Sequence, residues 1–188
     1  MDTALGAFAG IGLAAACGFR VFVPLLVLSI ASRAGEMRLG HGFGWIASYP
    51  ALVAFSVATA LEIGGYFIPW VDHLLDAVAT PTAIVAGILV TASSVGHAGP
   101  FLQWTLAVIA GGGTAAVFQG LTATARAVST ATTGGLGNPL VATVEAGGAA
   151  VLSVLAVTLP VAAVLAIVAL LVLGVRRLLF RRPSPRAT

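Results

Sequence analysis

Apolar positions along this chain run in blocks of about twenty residues, broken by short clusters of glycine, proline and charge. That is the length an α-helix needs to cross roughly 30 Å of hydrocarbon. Residues 4–32 form the first block, and Pro24 is expected to bend it. A polar loop over 33–49 follows, with Glu36, Arg38 and His41. Pro50 opens a second span to about residue 68, since proline suits a first helical turn. Residues 69–76 (Pro-Trp-Val-Asp-His-Leu-Leu-Asp) predict a short amphipathic piece at an interface. Residues 81–95 give a short third span, 96–99 a turn, and 101 to about 126 or 131 a fourth. The glycine-rich run over 132–139 is a strong helix breaker. Beyond it, 140–175 is apolar except at Thr158-Leu159-Pro160. It holds either two spans joined at Pro160 or one long span with a half-inserted segment.

Two of the breaks in hydropathy resemble each other. Leu61-Glu62-Ile63-Gly64-Gly65 and Val144-Glu145-Ala146-Gly147-Gly148 each set a carboxylate before two glycines inside an apolar block. Other features recur in the same order: Ala9-Gly10-Ile11-Gly12 answers Ala110-Gly111-Gly112-Gly113, and the proline-led segment at Pro50 answers that at Pro139. The expected fold is therefore an all-α membrane protein of about six transmembrane helices arranged as two inverted three-helix repeats. Residues 1–99 are the first repeat, 100–175 the second and 176–188 a basic tail. With an odd number of spans per half, the halves are related by an axis in the membrane plane.

Composition strengthens the membrane assignment and removes other classes. Hydrophobic residues make up 59% of the 188 positions, charged residues 8%, and mean hydropathy is +1.07, far from a soluble domain. The net charge of +3 is no nucleic-acid signal, because Arg176, Arg177, Arg181, Arg182 and Arg186 all lie in the tail. Such a cluster predicts a cytoplasmic C-terminus in a bacterial inner (plasma) membrane protein. Cys17 is the sole cysteine, so no intrachain disulfide forms and a thiolate metal site is excluded. The first thirty residues lack a basic leader and read as a span, not a cleaved signal peptide. No cofactor is implied, and whether a metal binds is left open.

Charge within hydrocarbon costs a few kcal/mol or more, so each ionisable residue at depth needs a reason. Glu62 and Glu145 are candidate proton or cation sites, or structural partners for Arg20 or Arg126. Glu145 follows Pro139 closely and is expected nearer the end of its helix, partly wet. Arg20 is too deep to reach the surface and is expected to pair with a carboxylate or line a polar cavity. Arg126 lies near enough to a span end to extend its head group to the interface. Asp72 and Asp76 share a helix face and suit either a cation vestibule or a solvated interfacial helix. Gly64, Gly65, Gly147 and Gly148 are read as close-packing surface or as bare backbone carbonyls. Gly134 and Gly135 belong to the breaker. No Ser/His or His-Glu-x-x-His spacing supports an enzyme.

The string Ala15-Ala16-Cys17-Gly18-Phe19-Arg20-Val21-Phe22-Val23-Pro24, the stretch from Glu62 to Asp76 with Ile68-Pro69-Trp70-Val71-Asp72, and 129–139 together resemble a bacterial membrane family catalogued as domain of unknown function 4126. The resemblance covers nearly the whole chain and implies a small multi-span protein, without an established activity. The duplicated Glu-x-Gly-Gly is also similar in form to the Glu-x-Gly-Asp motifs of cation/proton exchangers built from two inverted three-span halves. Gly65 and Gly148 replace that motif's second acid and no Lys/Arg-Ser/Thr pair follows, so only Glu62 and Glu145 carry over. The expected function is a small secondary transporter or ion-conducting protein, moving a small ion or solute across the lipid bilayer with cation/proton coupling at those glutamates. The alternative is a non-transporting scaffold or accessory subunit with structural buried ion pairs. A homodimer is expected because so small a bundle encloses little interior.

Overall fold

A computed structural model describes residues 3–179 except Phe67 and His97, with the backbone alone at 69–74, 76, 174, 175 and 177–179. The described chain is helices and connecting turns, with no strand among the described residues. In order they are α1 (Thr3–Phe19), α2 (Phe22–Arg33), α3 (Tyr49–Gly65), α4 (Pro69–Ser94), α5 (Pro100–Leu106), α6 (Gly113–Thr133), α7 (Asn138–Thr158) and α8 (Pro160–Leu179). A 3₁₀ turn at Gly44–Ala47 precedes α3, and a π-helical stretch, Ala107–Gly112, joins α5 to α6 without a gap. Three stretches are long and apolar enough to cross a membrane by length and composition: Ala77–Ser94, Pro100–Thr133 and Asn138–Thr158. Thr3–Phe19, Phe22–Arg33, Tyr49–Gly65 and Pro160–Leu173 are shorter apolar helices. The described residues are thus all-helical, and their apolar helices are compatible with a membrane protein.

Helix α1 is the core of the bundle and packs on α4, α6, α7 and α8. It can do so because its buried face is glycine and alanine, letting four neighbours approach its backbone. A Cβ on Gly12 would stand 2.6 Å from the Ala156 Cβ of α7, and one on Gly10 would stand 2.9 Å from the Thr91 Cα of α4. Hydrogen bonds cross these seams: the Thr91 hydroxyl donates to the Gly10 carbonyl at 3.1 Å, and that of Thr122 to the Gly18 carbonyl at 3.3 Å. The π-helical stretch makes a similar approach, since a Cβ on Gly111 would lie 2.6 Å from the Gly87 carbonyl of α4.

Several boundaries differ from those expected. The first apolar block is two helices, not one bent at Pro24; the break falls at Arg20–Val21, and Pro24 sits in the first turn of α2. The amphipathic piece and the third span are one helix, α4, with Pro81 in its interior. After the breaker, the apolar run is two helices separated at Leu159. The breaker itself follows the sequence: Gly134 and Gly135 take φ of +63° and +91°, the left-handed conformation that ends α6.

Candidate functional site

The break between α1 and α2 gathers the buried charged side chains among the described residues, Arg20, Glu62, Arg126 and Glu145. At a helix start the first N–H groups have no partner within the helix. Here the Val21 and Phe22 N–H groups donate to the two carboxylate oxygens of Glu62, at 2.7 and 3.0 Å. Glu62 projects from α3, so a side chain some forty residues distant caps α2. Its charge is favoured there because the positive end of the α2 dipole faces it. Pro24, which lacks an N–H, leaves one donor fewer to satisfy in that turn.

Arg20 occupies the break and is 2% exposed. Its Nη2 donates to the Ala142 carbonyl at 3.0 Å and to Glu145 Oε2 at 3.1 Å, both on α7. Arg126 of α6 reaches the same carboxylate: its Nε donates to Glu145 Oε1 at 3.1 Å and its Nη2 pairs with Oε2. Both guanidinium groups lie on the ring of Tyr66, their central carbons 3.7 Å (Arg20) and 4.0 Å (Arg126) from its centroid. Such cation–π contacts gain strength when desolvated. Nε and Nη1 of Arg20 make no hydrogen bond among the described residues.

Two apolar cavities flank the break, each bordered by one glutamate. The larger, about 710 Å³, lies by Phe22, Leu61, Glu62, Gly64, Ile68 and Leu75. The other, about 400 Å³, lies by Phe19, Thr122, Leu140, Val144 and Glu145. Leu61 and Val144, the residues just before the glutamates, are exposed beside their respective cavities. Among the described residues, no three of His, Cys, Asp and Glu gather to ligate a metal.

Arg20, Glu62, Arg126 and Glu145 thus come together as candidates, but in a different pairing from the expected one. Glu62 is held by backbone amides and, among the described residues, not by an arginine. Glu145 is buried, not partly wet, and accepts both arginines. Arg126 is also buried and does not extend to an interface, because Glu145 and Tyr66 offer it a closer partner within the bundle.

The glycines divide as well. An added Cβ at Gly64, Gly147 or Gly148 would meet nothing within 4 Å among the described residues, so against these residues the three are not close-packing positions. That role belongs to the α1 glycines, whose backbone four helices share. Gly65 is buried and borders the larger cavity. The side chains of Asp72 and Asp76, and residues 180–188 of the tail, lie outside the described residues. Sequence reasoning missed Tyr66 and the Ala142 carbonyl. The signal for Tyr66 was its place four residues after Glu62, on the same face.

Residues 7–179 match the family described as domain of unknown function (DUF4126). No curated protein and no solved structure matches the chain.

Proposed function

The chain belongs to the DUF4126 family, and from its geometry we propose that it is a small secondary transporter or ion-conducting protein, coupled to protons or cations through Glu62 and Glu145. One observation carries this reading. Carboxylates from matching Glu-x-Gly-Gly motifs grip the two sides of a single helix break, Glu62 through the α2 amides and Glu145 through Arg20. Discontinuous helices with ends turned toward charge are how inverted-repeat transporters build their sites. The first repeat then comprises α1–α2, α3 and α4, and the second α5–α6, α7 and α8.

The working step is proton exchange at Glu62. Ionised, it forms charge-assisted bonds to Val21 and Phe22; protonated, it holds them about half as strongly, and the α2 end is freed to move. Rocking of one half against the other then exposes the break to alternate sides. Arg20 stays with α1 and carries the motion to Glu145. The reading includes a multi-pass plasma-membrane location with a cytoplasmic C-terminus, a homodimer, and no catalytic role for Asp72 or Asp76.

A second reading is favoured by the double grip of Arg20 and Arg126 on Glu145. In it the protein is a scaffold or accessory subunit and the charges only fix helix register. Flux across a panel of monovalent and divalent cations, driven by a pH gradient in proteoliposomes, separates the two. Transport predicts flux above that of empty vesicles for at least one cation. A scaffold predicts none for any.

A further inference from the structure

We propose that the larger cavity, beside Glu62, binds an amphiphilic organic cation, with its positive centre near the carboxylate and its hydrocarbon against Phe22, Leu61, Ile68 and Leu75. This names the substrate class of the transport reading and rests on it. The cavity's volume of about 710 Å³ falls within the 300–1,000 Å³ typical of sites that enclose a small organic molecule. A bare metal ion is a poor occupant. Hard cations take several oxygen ligands, and among the described residues bordering this cavity only Glu62 carries side-chain oxygens.

Charge distinguishes this cavity from its counterpart. Glu145, beside the smaller one, is already bonded to two arginines. Glu62 makes no ion pair among the described residues and spends only one bond per oxygen on the Val21 and Phe22 amides. An ionised carboxylate has about four lone-pair positions, so capacity remains for a cation. A lipid chain would also fill an apolar groove, but it gains nothing from a carboxylate in the lining.

Gly64 gives the glycine of the motif a purpose here. A Cβ at that position would meet nothing within 4 Å among the described residues, and the missing side chain leaves the cavity open. Filling it with leucine blocks the site without forcing helices apart. Gly147, which borders neither cavity and is equally unobstructed, supplies the control.

Binding of tetraphenylphosphonium to the purified full chain in detergent, followed by equilibrium dialysis, tests the proposal. Expected are saturable binding by the wild type, at least a tenfold loss of affinity in Glu62→Gln and in Gly64→Leu, and retention in Gly147→Leu. Thermal unfolding of Gly64→Leu within a few degrees of wild type ties its loss to the blocked cavity. Non-saturable uptake equal to that of empty micelles, or wild-type affinity in both Glu62→Gln and Gly64→Leu, overturns it. Glu62-dependent flux of inorganic cations without tetraphenylphosphonium binding removes the organic-cation assignment and leaves the transport reading standing. Saturable, Glu62-dependent binding with no flux of any cation supports the site and removes transport.

Discussion

Glu62 and Glu145 sit in the same motif, yet the fold satisfies them by different chemistry, and their substitutions should differ accordingly. Glu145→Gln leaves Arg20 and Arg126 buried without their shared counter-charge, the situation that costs about 3–5 kcal/mol when one partner of a buried pair is removed. Glu62→Gln keeps one carbonyl oxygen for a backbone amide and leaves the other amide unmet, at a cost of about 1–3 kcal/mol. Chemical unfolding in detergent checks the order; a larger loss for Glu62→Gln would contradict the assignment of partners. The two carboxylates were legible as anomalies because an acid stands out in an apolar block. Their partners were not. Nothing in local periodicity says that Arg20 meets a residue 125 positions away, or that Glu62 meets the backbone amides of Val21 and Phe22.

Helix ends that depend on local chemistry were readable, while the break that matters depends on a distant side chain. Ser48 caps α3 by accepting from the Ala51 N–H at 3.2 Å, ahead of Pro50, and Gly134 ends α6 in the left-handed region. Both follow from residue type. The gap between α1 and α2 arises because Glu62 takes two N–H groups at the start of α2, so the visible proline four residues past Arg20 misplaced it. Packing between elements predicts opposite signs for two glycine-to-alanine changes. At Gly18 the new methyl would lie 2.8 Å from the Ala115 carbonyl oxygen and must push α6 away, costing about 1–3 kcal/mol. At Gly147 the methyl meets nothing among the described residues, and relief of glycine's entropy cost inside a helix gives a gain of roughly 0.5–1 kcal/mol. Unfolding of the two variants side by side tests this, and destabilisation by Gly147→Ala would place that residue in a contact.

At the scale of the whole molecule, composition alone established an apolar helical protein, since 59% hydrophobic and 8% charged residues leave few alternatives. The bundle's centre was harder to see. Helix α1 is more apolar than the four helices packed on it, but hydropathy alone does not make a helix central; that follows from how many helices its small side chains admit. The central claim is that Glu62 and Glu145, drawn from corresponding motifs, control one helix break as a proton- or cation-coupled site. It is tested most directly by pH-gradient-driven cation flux in proteoliposomes of wild type, Glu62→Gln and Glu145→Gln, with thermal unfolding measured on the same preparations. Flux is expected in the wild type and is lost in Glu62→Gln and Glu145→Gln, with the Glu62→Gln protein still folded. Wild-type flux in both variants, or wild-type vesicles no more permeable than empty ones, would contradict it.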